Sequence, residues 1–173
     1  MLNYFYEIDL STDFVDKDKI CKNLVDQHLQ EKSFKPDYRH TTHNFKVNTD
    51  IDYFENLYDN FEKICHRIFK DLKVSERNDR ACWAYVSNES DHSGKDVIHN
   101  HLLTSTINGV YYLKVPESCS GSVSFFNQNK QEIFSYQPKE NFLIIFPNHQ
   151  NHCANVSNTK EYRISINLEL TCV

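Results

Sequence analysis

The chain has 173 residues, 39% of them hydrophobic and 13% aromatic, which is enough to bury one core, too little for two independent ones, and unlike a disordered polymer. Its formal net charge of -5, with 19 basic residues scattered along the sequence, offers no cationic stripe for nucleic acid or for an anionic membrane. Six cysteines without a Cys-x-x-Cys pair read as free thiols of a reducing compartment rather than as a disulfide framework.

In chain order, Met1 to Leu10 mixes Tyr4, Glu7 and Asp9 into its apolar residues, so it is neither a signal-peptide core nor a membrane span and reads as a strand. The expectation is a soluble cytoplasmic protein. Asp16 to Lys32 carries Ile20, Leu24, Val25 and Leu29 at helical spacing. From Asp50 to Leu72 the steps between Ile51, Phe54, Leu57, Tyr58, Phe61, Ile64, Cys65, Ile68, Phe69 and Leu72 predict a second helix, with Thr49 or Asp50 as N-cap and the stripe as core packing. Beyond about residue 80 the pattern changes to short runs rich in aromatic and β-branched residues, broken by Ser, Asn, Gly and Pro. Strands are expected near Ala81 to Ser87, Val97 to His101, Ile107 to Val115, Gly121 to Phe126, Glu132 to Ser135, Phe142 to Phe146, His152 to Val156 and Arg163 to Leu170. This predicts one α+β domain: a helix-rich front over 1–80, and over 81–173 a sandwich or jelly roll.

The histidines are unevenly placed. His99 and His101 stand two apart, and in a strand such residues project from one face, where two imidazoles can meet one metal ion. By itself a His-x-His pair is as readily a pair of solvent-facing or hydrogen-bonded rings. Three segments downstream change the balance: Asn108-Gly109-Val110-Tyr111-Tyr112-Leu113, then Phe146-Pro147 with His149 and His152 behind, then Arg163-Ile164-Ser165.

This order, together with Trp83 ahead of it, resembles the 2-oxoglutarate and iron(II)-dependent oxygenase superfamily, specifically a small bacterial and phage subfamily, over roughly Trp83 to Leu168. Asn108 stands where that subfamily usually has serine. The resemblance implies a double-stranded β-helix with the N-terminal helices packed against it, Fe(II) as cofactor and 2-oxoglutarate as cosubstrate. It implies His99 and His152 as iron ligands. It also implies that Arg163, with Ser165 beside it on the same strand face, grips the distal carboxylate of 2-oxoglutarate, a task to which a planar guanidinium is suited. Most of the superfamily has Asp or Glu where this chain has His101, so His101 is expected as the third ligand of a three-histidine site. Asp96 is three residues before His99 and falls on the opposite strand face. Tyr85 and Tyr111 are candidates for contact with cosubstrate or substrate, and Trp83 is expected in the aromatic core.

The expected activity is hydroxylation or oxidative demethylation by dioxygen of an unidentified small molecule or peptide. Two alternatives stay open: a three-histidine cupin-like dioxygenase that needs no 2-oxo acid, and a non-catalytic metal- or ligand-binding jelly roll. A buried Arg163 near the histidines speaks for the first reading, and a solvent-facing one for the cupin.

Overall fold

The computed structural model describes residues 3–11, 17–34, 51–91, 97–119, 121–155 and 157–173. The predicted helix cap at Thr49 or Asp50, the expected helix start at Asp16 and the carboxylate of Asp96 lie outside them. The elements run β1 (Tyr6–Asp9), α1 (Lys17–Phe34), α2 (Ile51–Ile68), β2 (Cys82–Ser87), a 3-10 turn (Glu89–Asp91), β3 (Ile107–Lys114), β4 (Val123–Phe126), β5 (Glu132–Tyr136), β6 (Phe142–Pro147), β7 (Asn151–Ala154) and β8 (Arg163–Leu170). The strand expected over Val97 to His101 does not form. His99 alone pairs with β7, through an isolated bridge to His152. Two residues on, the His101 amide bonds the Asn148 carbonyl at 2.9 Å, and the chain turns there, with Thr104 N bonded to His101 O.

The strands form two antiparallel sheets, one of five strands in the order β1-β6-β3-β8-β2 and one of three in the order β5-β4-β7. Both helices cover the outer face of the larger sheet. Ile20 and Leu24 of α1 and Phe54, Leu57, Tyr58, Phe61 and Cys65 of α2 pack with Ala84, Val86, Tyr111, Leu113, Leu143, Ile145, Ile164, Ile166, Leu168 and Leu170. Side chains alternate across a strand, so the intervening residues turn the other way. Val110, Tyr112, Ile144 and Phe146 meet Val123, Phe125 and Tyr136 of the smaller sheet in a second cluster. The result is a jelly-roll-like fold with helices on one side and a filled space between the sheets. On β8, residues Ile164, Ile166, Leu168 and Leu170 face the helices, which directs Arg163, Ser165, Asn167 and Glu169 into the space between the sheets.

Gly109 shows how closely α2 sits on the sheet. A Cβ there would fall 2.7 Å from Phe61 Cε2 and 3.3 Å from Leu143 Cδ1. Both neighbours are fully buried, so Gly109→Ala is expected to cost about 1–3 kcal/mol by overpacking, read as a lower urea midpoint at unchanged slope. All six cysteines are free, and among the described residues no helix is long and apolar enough to cross a membrane.

Candidate metal and cosubstrate site

Three histidines from separate places in the chain converge at one end of the space between the sheets. The bridge sets the first two: His99 N bonds His152 O at 3.0 Å and His152 N bonds His99 O at 2.9 Å. Their ring centroids lie 4.4 Å apart. His101 stacks on His152 at 5.1 Å and lies 5.2 Å from His99, so the pair two apart does converge although its strand is absent. One ring nitrogen of each histidine lies within 4.8 Å of the others. His149 is exposed in the turn after β6 and stands outside this group.

The proton positions follow from the partners. Nδ1 of His99 faces the Val97 carbonyl at 2.9 Å, Nδ1 of His152 the Gln150 carbonyl at 3.0 Å, and Nδ1 of His101 the Glu169 carboxylate at 2.5 Å. Carbonyls and carboxylates accept, so each Nδ1 donates and each ring presents its lone pair on Nε2. Three imidazoles whose Nδ1 atoms are held by these acceptors leave their Nε2 atoms as a donor set for a divalent first-row metal, and the residues present fit Fe(II).

His152 is the most enclosed of the three, against Phe146 at 4.9 Å and Phe125 at 6.2 Å. Burial, and after it the neighbouring His99 ring, lowers its imidazole from 6.5 to about 3, which keeps it in the neutral, ligating form. In the metal-free protein the unfolded chain takes up a proton at His152 near 6.5 that the folded chain refuses until about 3. This contribution to stability is therefore complete above pH 6.5 and is lost as the pH falls toward 3. Urea midpoints of the metal-free protein across that window are expected to decline with a component that His152→Gln lacks.

Arg163 opens β8 and is only 1% exposed. Nη1 donates to the Gly121 carbonyl at 2.5 Å, Cζ lies 5.6 Å from the Tyr85 ring centroid, and Nε is buried without a partner. Among the described residues no carboxylate pairs with it. Its register neighbours deepen this polar spot. Ser87 lies directly opposite Arg163, and Tyr85 and Tyr112 lie opposite Ser165 on either side, all on the inner face. Ser87 Oγ and Tyr112 Oη are likewise buried without partners. A buried guanidinium beside orphan hydroxyls in an otherwise apolar interior is costly unless an anion completes it. The arrangement suits a carboxylate such as the distal one of 2-oxoglutarate.

Several sequence expectations need correction here. Tyr111 does not line this space: it is fully buried among the helix-facing residues, with its hydroxyl 3.3 Å from Asn141 Oδ1, and Tyr112 occupies the inner position instead. Trp83 belongs to neither core cluster and stands beside the histidines, 6.3 Å from the His101 ring. Glu169 and Ser87 belong to no motif that the sequence displays. Their signal is the alternation itself, since Glu169 falls in step with Arg163 and Ser165 on a strand whose other face is wholly apolar.

Residues 81–169, about half the chain, match the family described as "Putative 2OG-Fe(II) oxygenase". No curated protein sequence matches the chain. Among solved structures, a Pseudomonas putida prolyl-4-hydroxylase aligns with a TM-score of 0.59 at 12% identity, covering 96% of this chain and 86% of that one. A Trichoplax adhaerens prolyl hydroxylase, solved with a hypoxia inducible factor oxygen degradation domain peptide fragment, aligns at 0.60 and 13% identity, covering 98% and 84%. A prolyl 4-hydroxylase from Phytophthora capsici aligns at 0.63 and 15% identity, covering 98% of this chain and 59% of that one. At these identities the likeness establishes the fold, and the family match establishes the cofactors, Fe(II) and 2-oxoglutarate. The chain therefore belongs to the family of 2-oxoglutarate and iron(II)-dependent oxygenases.

Proposed function

We propose that this protein is a non-haem iron(II) dioxygenase on a double-stranded β-helix, which hydroxylates or oxidatively demethylates a small-molecule or peptide substrate and releases succinate and carbon dioxide. In this reading His99, His101 and His152 hold Fe(II). Arg163 holds the distal carboxylate of 2-oxoglutarate, with Ser165, Tyr85, Ser87 and Tyr112 around it. The observation that carries it is the buried Arg163, a cation without a carboxylate partner among the described residues, on the inner face of β8, the strand whose other end meets His101 through Glu169. A three-histidine dioxygenase that needs no 2-oxo acid gives such an arginine no task.

Bound Fe(II) and 2-oxoglutarate supply the oxidising chemistry, coupling the oxidation of the 2-oxo acid by dioxygen to that of a substrate C–H bond. The chain's own residues do the rest. The Nδ1 bonds of the three histidines orient their rings and leave Nε2 as the donor atom toward the metal. Phe125 and Phe146 enclose His152 and exclude water from that side. Arg163 fixes one end of the cosubstrate, and with it the direction from which the other end meets the metal.

The test is an anaerobic titration of the purified protein with Fe(II) and then with 2-oxoglutarate. A weak visible charge-transfer band is expected on the second addition. Iron bound without a band overturns the 2-oxoglutarate mechanism in favour of the three-histidine dioxygenase, and no iron binding at all leaves a binding or structural role.

A further inference from the structure

The inner face of β8 ends in a buried carboxylate that the proposed reaction does not use. Glu169 is 7% exposed. Its Oε1 accepts from His101 Nδ1 at 2.5 Å and from Thr104 Oγ1 at 2.9 Å. Its backbone is clamped as well, with N donating to the Ala81 carbonyl at 3.0 Å and O accepting from Tyr58 Oη at 2.7 Å. Among the described residues no Lys or Arg is paired with it, and its one ion-pair partner is the His101 ring.

We propose that Glu169 is the positioning residue of the metal centre, the carboxylate that the common two-histidine face carries as a direct ligand, moved outward by one imidazole. The proposal rests on the reading of the three histidines as iron ligands. Two histidines and a carboxylate reduce the charge of a divalent ion by one, whereas three neutral imidazoles leave it intact. Here the missing negative charge is present, but behind His101 rather than on the metal, where it orients the ring, holds the proton on Nδ1 and makes Nε2 a stronger donor. The reciprocal need points the same way. Among the described residues no Lys or Arg shares this carboxylate, and a divalent cation on the far nitrogen of the ring stands one imidazole away from it. Thr104 and the doubly bonded backbone keep the carboxylate in place whether or not a metal is bound.

The experiment uses Co(II) as the probe, titrated calorimetrically into the metal-free full chain under argon, with the visible d–d bands recorded alongside. Glu169→Gln keeps the size and the ability to accept from Nδ1 but removes the charge. It is expected to weaken Co(II) binding by about 10- to 100-fold, the usual cost of losing an outer partner of a metal-bound histidine, and to shift the bands. The double variant His101→Asp with Glu169→Gln, which returns the carboxylate to the metal itself, is expected to recover most of that loss. A purely structural Glu169 predicts no such rescue. Thr104→Ala, at an exposed position, loosens the same carboxylate and is expected to act in the same direction by a few-fold, which serves if Glu169→Gln folds poorly. Wild-type affinity and unchanged bands in Glu169→Gln, or in Thr104→Ala where that variant must serve, overturn the proposal alone. Absence of Co(II) binding by the wild type overturns the three-histidine reading and the proposal with it. Nitrogen-15 spectra of the metal-free protein tell these cases apart by reporting the His101 tautomer independently of any metal.

Discussion

Arg163→Ala protein loaded with Fe(II) under argon is expected to need at least about 100-fold more 2-oxoglutarate than wild type to develop the charge-transfer band, because breaking a buried ion pair costs about 3–5 kcal/mol and each 1.4 kcal/mol is tenfold. Metal affinity in the absence of cosubstrate is expected to stay unchanged, since the Nδ1 atoms of His99, His101 and His152 are held by Val97, Glu169 and Gln150 and not by the arginine. Arg163→Lys retains the charge but not the planar fork and is expected to fall between the two. A second route reaches the same effect with the arginine in place. A Cβ on Gly121 would sit 2.2 Å from Arg163 Nη1 and 3.2 Å from the Asn155 carbonyl, so Gly121→Ala must displace the guanidinium from its seat. It is expected to raise the cosubstrate requirement in the same direction. Stability gives the counter-check. The guanidinium is buried with Nε unpaired. The urea midpoint of metal-free, cosubstrate-free Arg163→Ala is therefore expected to be no lower than that of wild type, the signature of a residue kept for a ligand. A large loss of folding stability with unchanged 2-oxoglutarate response would falsify the assignment.

His152→Ala is expected to remove Fe(II) binding almost completely, with a loss beyond the roughly 10- to 100-fold expected for an outer partner, because one of the three proposed ligands is gone. The comparison that makes this decisive is His149→Ala. The two residues lie three apart in sequence, yet His149 is exposed in the turn after β6 while His152 is buried between its two histidine neighbours. Iron binding is expected to survive His149→Ala unchanged. His99→Ala is expected to behave as His152→Ala does, since the two are held together by a reciprocal pair of backbone bonds. Retention of near-normal iron affinity in His152→Ala would exclude the histidine cluster as the metal site.

Much of this protein is determined locally and is legible in the sequence. The helical stripe from Phe54 to Cys65 announces α2 because a single apolar face at helical spacing can be buried in only one way. The alternation along Arg163 to Leu170 is equally plain, and it places Arg163 and Ser165 together without any knowledge of the fold. The convergence of His99 with His101 rests on the same two-residue spacing and survives even where the strand itself is replaced by one bridge. Tertiary structure decides what alternation leaves undetermined. On β3 nearly every residue is buried, because helices cover one face and the smaller sheet the other, so hydrophobicity cannot tell the inner tyrosine from the outer. Hence Tyr112, not Tyr111, reaches the space around Arg163. Trp83 and Glu169 are likewise assigned by partners distant in the chain: His101 finds the carboxylate 68 residues away because β8 lies beside both β2 and β3 and presents its odd-numbered side chains to the interior. The spacing of residues sets which side chains share a face, and only the packing of the layers sets which face encloses the site.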